Sequence, residues 1–228
     1  MKLSLSELYS PLGTMLLVTD EQERVRALDF GKRMGRLRGG LREHYGAHEL
    51  TEAPAPAAVA AALRRYFGDD VQALDSINVA TAGTDLQRDV WAALRRIPVG
   101  QTTTYGALGR LLGFTDPRAA IDVGAAIGAD PIAVIVPCHR VVASNGELKG
   151  YAWGLHRKRW LLEHEEGHST AGRRSAVRVA SGILMPLPTT MIAADYGALP
   201  PVRIRPQESG CLRLKSGSDW VHEIEQQE

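Results

Sequence analysis

The sequence predicts an α+β protein: a small sheet-containing N-terminal part, a helical part built around a helix-turn-helix pair, and an irregular extension. Three observations lead there. Near the N-terminus the apolar segments are short and separated by turn residues, as strands are. From Thr84 onward apolar residues recur at helical spacing between recognisable caps. Beyond Gly167 that periodicity stops. The expected divisions are residues 1–80, 81–167 and 168–228.

Leu3, Leu5 and Leu8 lead into Ser10-Pro11-Leu12-Gly13, and Met15-Leu16-Leu17-Val18 follows, which reads as a hairpin. A turn at 19–23 and a third strand at 25–30 come next. Arg33, Arg36, Arg38 and Arg42 read as a solvated loop or helix face. Val59, Leu63 and Tyr66 share one face of a helix expected over 57–66, and 75–79 could form a short strand.

Thr84-Asp85-Leu86-Gln87 is a capping box, because Thr84 can accept a first-turn N–H while Gln87 reaches back. Leu86, Val90, Leu94 and Ile97 then form one stripe, ended by Pro98 and Gly100. A second helix is expected over 104–112, with Leu108, Leu111 and Leu112 inward and Gly113 as its stop. Asp116-Pro117 opens a third over 117–128, with Ala120, Val123, Gly124 and Ile127 on one side. Such a pair is either plain helix packing or a DNA-binding motif. The run 132–136, IAVIV, reads as a buried strand. A turn at Asn145-Gly146, a loop over 150–154 and a last helix over 155–165 complete this part. In the extension, a short hairpin is conceivable around 181–194.

The chain has 228 residues, 44% hydrophobic and 23% charged, which suits a globular protein. A net charge of +1 gives no global signal for nucleic acid, although a local basic face remains open. No signal-peptide pattern and no membrane-length apolar run occur, so a cytoplasmic protein without membrane contact is expected. Cys138 and Cys211, the two cysteines, make neither a disulfide scaffold nor a zinc pattern, and no metal is expected.

Pro137-Cys138-His139-Arg140 holds the most reactive side chains. Cys138 is either a core cysteine or a nucleophile. A thiol needs a neighbouring base or positive environment to become a thiolate. Neighbours on a strand point to opposite faces, so His139 can assist Cys138 only if the chain bends or a water intervenes. A carboxylate such as Glu165 could orient His139.

Pro137-Cys138-His139-Arg140-Val141 after IAVIV resembles the active-site signature of the O6-alkylguanine-DNA alkyltransferases, also called methylated-DNA–protein-cysteine methyltransferases. GTDLQRDVWAALRRIPVGQTTTYGAL resembles the first catalytic-domain helices of that family. GADPIAVIVPCHRVVASNGELKGYAWGLHRKRWLLEHE resembles its active-site segment, loop and final helix. SPLGTMLLV and RALDF fit its small N-terminal domain, and the likeness covers about residues 1–167.

The resemblance implies a ribonuclease-H-like N-terminal domain and a winged-helix-like catalytic domain. It implies single-use transfer of an alkyl group from O6 of guanine, or O4 of thymine, to Cys138, without a cofactor. His139 would act through a water, oriented by Glu165. Tyr105 would rotate the phosphate and protonate the departing guanine. Tyr151, Trp153, Val141, Val142 and Ala152 would line the base pocket. Arg118, Ala120, Ile121 and Gly124 on the third helix would meet the minor groove of double-stranded DNA, with Arg140 nearby. A monomer is expected.

Two residues depart from the family pattern. Ile121, followed by Asp122, stands where an arginine normally enters the base stack, and an apolar wedge could substitute there. Asp130 stands where asparagine normally ties the recognition helix to the active-site segment. A lesion-binding module with impaired transfer is the alternative, though such relatives lack the cysteine. A cysteine hydrolase is a third reading, for which the sequence supplies no oxyanion site.

Overall fold

The computed structural model describes residues 1–31, 34–68, 70–116 and 118–168. Cys211 and the hairpin considered at 181–194 lie outside them. Strand β1 (Lys2–Ser10) returns through a tight turn as β2 (Gly13–Asp20), in register from Leu3 opposite Asp20 to Ser10 opposite Gly13. Gly13 has φ +102°, a conformation this turn needs and a side chain would resist. β3 (Val25–Phe30) pairs antiparallel with β2, with a bulge at Val18/Thr19.

β4 (Glu49–Glu52) joins the free side of β1 in parallel and completes the order β3-β2-β1-β4. Its sequence, ELTE, holds one apolar residue, too little to signal a strand. The arginine-rich stretch is a helix, α1 (Met34–Tyr45), because Leu37 and Leu41 cover the Leu3, Leu5, Leu16 and Val18 face of the sheet. The opposite face carries Met15, Leu17, Leu28 and Phe30. They join one cluster with Val59, Leu63 and Tyr66 of α2 (Ala57–Phe67) that continues to Val123, Cys138 and Leu161.

The strand considered at 75–79 is instead a single 3-10 turn, Ala73–Ser76, followed by one bridge between Val79 and Val25. The Ser76 hydroxyl donates to the Ala73 carbonyl at 3.2 Å, a local bond that competes with strand pairing.

α3 (Asp85–Leu94) starts at the expected capping box: Thr84 Oγ1 accepts from the Gln87 N–H at 3.2 Å, and Gln87 Oε1 from the Thr84 N–H at 2.9 Å. Trp91 Nε1 donates to the Ala126 carbonyl at 2.8 Å and ties α3 to α5 (Ala119–Gly128). β5 (Thr103–Thr104) leads directly into α4 (Tyr105–Leu111). A Cβ on Gly109 would lie 3.8 Å from Val123, so α4 and α5 approach closely along Leu108 and Gly109. Leu111, expected inward, is rotated off that line and is 51% exposed.

The run 132–136 is wholly buried but is not a strand. Ile132 makes one bridge to Leu28, after which the chain turns. The turn is closed by bonds from the Ile135 N–H to the Ala133 carbonyl (2.7 Å), Val136 to Ile132 (3.1 Å) and Cys138 to Val136 (2.8 Å). Val134 has φ +67°, costly for a β-branched residue, on the order of 1–3 kcal/mol. Its packed surroundings hold it there: Ile132 to Val136 are all at most 3% exposed. Burial makes such a run apolar whether or not it pairs in a sheet, so periodicity could not tell the two apart. β6 (Val141–Val142) then pairs in parallel with β5, and α6 (Leu155–His168) packs last.

Candidate active site

Pro137 ends the buried turn, and Cys138–Arg140 form one 3-10 turn. This bend resolves the difficulty of adjacent residues on a strand. Cys138 is 4% exposed and free, and His139 is fully buried. His139 Nε2 lies 2.9 Å from Glu165 Oε1, so the helix α6 supplies the expected orienting carboxylate. His139 Nδ1 is buried with no partner among the described residues.

Arg140 was expected to face DNA; instead it points inward. Its Nε and Nη2 donate to the two carboxylate oxygens of Glu165, each at 2.8 Å, and Nη1 to the Ile97 carbonyl at 2.5 Å. A buried carboxylate demands such a fork, and that demand outweighs any surface role. The Tyr66 hydroxyl donates to Glu165 Oε1 at 2.7 Å. Burial alone would raise the Glu165 carboxyl, but His139 and Arg140 hold it well below the usual carboxylate range. Burial lowers His139 despite the Glu165 charge. The imidazole therefore rests neutral, able to accept a proton.

The thiol is not activated at rest. Burial, and then Asp130, push Cys138 well above its ordinary value, while Lys158 pulls the other way. Lys158 is fully buried, and its ammonium donates to the carbonyls of Val141 (2.6 Å) and Lys149 (2.7 Å). It thereby ties the 143–154 loop to β6, and burial lowers it to about 8. Sequence reasoning missed Lys158. The spacing Lys158, Leu161, Leu162, Glu165 on one helical face was the available signal.

Tyr105, half-buried, donates its hydroxyl to the Lys149 carbonyl at 3.1 Å. Burial and the nearby Cys138 raise its phenol. Gly124 of α5 faces the Tyr105 ring: a Cβ there would sit 3.7 Å from it. Tyr151 carries a buried hydroxyl without a partner among the described residues and meets Trp153 edge-on at 5.1 Å. Trp153 Nε1 donates to Asp29 Oδ1 at 2.5 Å. Arg36 stacks 5.2 Å over Trp153 and donates to the Ala152 carbonyl at 3.1 Å. The N-terminal part thus reaches the site through Asp29 and Arg36, which sequence reasoning had left out.

Val141 and Val142 are buried and Ala152 is exposed. On α5, Ile121 stands out at 73% exposure; Arg118 and Asp122 are exposed and Ala120 is half-buried. Asp130, just beyond α5, is 2% exposed and accepts from the Ile132 N–H at 2.9 Å. No cluster of metal-ligating side chains occurs among the described residues. No helix among them is long and apolar enough to cross a membrane.

A buried free thiol next in sequence to a His–Glu pair, on a chain that also holds two packed helices, fits the class of proteins that act through a cysteine. Comparison with known proteins narrows that class. Residues 85–167 match the family described as 6-O-methylguanine DNA methyltransferase, DNA binding domain. A methylated-DNA–protein-cysteine methyltransferase of Salmonella typhimurium is 45% identical over 161 residues, covering 70% of this chain and 93% of the relative. The O6-methylguanine methyltransferase of Mycobacterium tuberculosis superposes with a TM-score of 0.61 at 31% identity, covering 76% of this chain and 99% of that one. A Mycobacterium tuberculosis OGT in complex with DNA gives a TM-score of 0.59 at 31% identity, covering 75% and 97%. The chain belongs to the methylated-DNA–protein-cysteine methyltransferase family.

Proposed function

We propose that this chain repairs alkylated double-stranded DNA by direct reversal, accepting one alkyl group from O6 of guanine, or O4 of thymine, on Cys138. The observation that carries the reading is the buried Cys138 beside the His139–Glu165 pair. The damaged base leaves the duplex to reach the thiol, at a cost of a few kcal/mol. As the sulfur–carbon bond forms and the carbon–O6 bond breaks, the electron pair leaves with guanine, which takes a proton from Tyr105. His139 receives the thiol proton through a water, oriented by Glu165. The thioether is stable, so each molecule works once.

Tyr151 and Trp153 form the walls of the base pocket, together with the backbone of Val141, Val142 and Ala152. α5 enters the minor groove, with Ala120 allowing close approach, Arg118 meeting phosphate and Ile121 wedging the opened stack. Gly124 gives Tyr105 room to move. We assign residues 1–80 to a ribonuclease-H-like domain and 81–167 to a winged-helix-like domain. The protein acts as a cytoplasmic monomer. Incubation with duplex DNA carrying O6-methylguanine should add one methyl to the intact protein, and Cys138→Ser should abolish the gain. Tight binding of the lesion without a mass change would favour a lesion-binding module instead.

A further inference from the structure

Trp153 is held from outside its own loop. Its indole Nε1 donates to Asp29 Oδ1 at 2.5 Å, and the same oxygen accepts the Phe30 N–H at 2.8 Å. The Arg36 guanidinium lies 5.2 Å from the centre of the indole ring. Its Nη1 donates to the Ala152 carbonyl at 3.1 Å, and its Nε stands 3.7 Å from Asp29 Oδ2. A cation over the ring and an acceptor at its N–H together fix the orientation of the indole. Asp29 belongs to β3 and Arg36 to α1, so the N-terminal part supplies both.

The segment held in this way is short and hinged. Tyr151, Ala152 and Trp153 lie between Gly150 (φ +55°) and Gly154 (φ +96°), two left-handed positions that suit glycine. Before the first hinge, the Lys149 carbonyl accepts from Lys158 Nζ at 2.7 Å. Before the second, Arg157 Nη1 donates to the Trp153 carbonyl at 2.9 Å, and its Nε to the Leu12 carbonyl at 3.0 Å. Those bonds anchor the backbone at the two ends. The indole ring itself is left to Asp29, Arg36 and the edge-on Tyr151 ring at 5.1 Å.

Trp153 belongs to the buried apolar cluster that contains Cys138. It also borders a cleft of about 270 Å³, lined among others by Asp29, Arg36, Leu37 and Asp130. The ring therefore has the packed cluster and vacant space as neighbours. Released from its two partners, it can yield into that space.

We propose that Asp29 and Arg36 set the size of the alkyl group that Cys138 accepts, by locking Trp153 in place. The proposal rests on the reading of Cys138 as the alkyl acceptor and of Trp153 as a wall of its pocket. Both are positioning residues, because they act through the indole. A methyl group passes with the ring locked, whereas an aromatic group such as benzyl needs the ring to yield. The N-terminal part is then a determinant of substrate range as well as a support for the catalytic part.

The test uses the full chain in single-turnover reactions with duplex DNA carrying O6-methylguanine or O6-benzylguanine. Intact mass reads Cys138, and Cys138→Ser is the blank. The benzyl-to-methyl rate ratio is the readout, since a damaged fold slows both reactions. Arg36→Met, at an exposed position, and Asp29→Ala should each raise the ratio about tenfold. Asp29→Asn keeps an oxygen acceptor for the indole N–H and should stay closer to wild type than Asp29→Ala. An unchanged or lower ratio in Arg36→Met overturns the proposal, and so does an Asp29→Asn ratio at or above that of Asp29→Ala.

If Asp29→Ala does not fold, Arg36→Met decides alone. Wild type that takes no alkyl group from either DNA sinks the repair reading. Labelling of Cys138 with N-phenylmaleimide and with iodoacetamide, one bulky and one small, then judges the lock by itself. The bulky-to-small ratio should rise in Arg36→Met, and an unchanged ratio overturns the proposal.

Discussion

Glu165 and Asp130 are two carboxyl groups, both buried, at 0% and 2% exposure, yet their ionisation is driven in opposite directions. Glu165 accepts from Tyr66, His139 and twice from Arg140. Asp130 accepts one backbone N–H, and its second oxygen has no described donor. The first is held charged and the second is held neutral. Depth in the protein therefore does not set the charge of a carboxyl group; the donors that reach it do. The paired acid is fixed by four bonds, one of them from His139, whereas the half-paired acid is fixed by one.

Removing a partner from Glu165 should give the largest effect. Arg140→Ala strands the carboxylate and frees the Ile97 carbonyl, and should cost about 3–5 kcal/mol in urea unfolding at neutral pH. Glu165 has a folded pKa below its unfolded value of 4.5, so its contribution is complete above that pH and fades as pH falls. The gap between wild type and Arg140→Ala should shrink accordingly in acid. A loss under about 1 kcal/mol at neutral pH would mean that the carboxylate does not depend on its fork.

Asp130→Asn should act with the opposite sign. The folded carboxyl is raised to about 8 from 3.8, so the group favours folding only while protonated in both states. As pH rises from 3.8 toward 8, the unfolded chain gains an ionisation that the folded one resists. The variant should match wild type near pH 4 and exceed it by a few kcal/mol, roughly 5 at most, at pH 8. A melting comparison across pH that shows no divergence would place Asp130 among ordinary ionised acids.

How far these two groups were legible in the sequence differs for physical reasons. Cys138, His139 and Glu165 share one segment and one helix, so local spacing could suggest them. The partners that decide the charges come from elsewhere: Tyr66 is 99 positions from Glu165, and Asp29 is 124 from Trp153. No local pattern encodes such contacts. The capping box at Thr84 and the first three strands were readable because local bonds and alternation produce them. ELTE at β4 carried one apolar residue, and IAVIV was apolar from burial rather than from pairing. Arg140 was read as a surface cation because its partner in the interior could not be assigned from spacing.

The smallest effect should come from Tyr66→Phe. The ring remains, keeping its edge-on contacts with Phe67 at 5.3 Å and His164 at 5.5 Å, so the change tests the hydroxyl alone. Burial and then the Glu165 charge push the Tyr66 phenol far up, so it is always a donor at neutral pH. Deleting it removes one of three donors on Glu165 Oε1 and should cost about 1.5 kcal/mol. In the Arg140→Ala background the same deletion should cost more, because the carboxylate then has only His139 left. Equal costs in both backgrounds would show that the donors act independently, and the four bonds would no longer count as one network holding the charge.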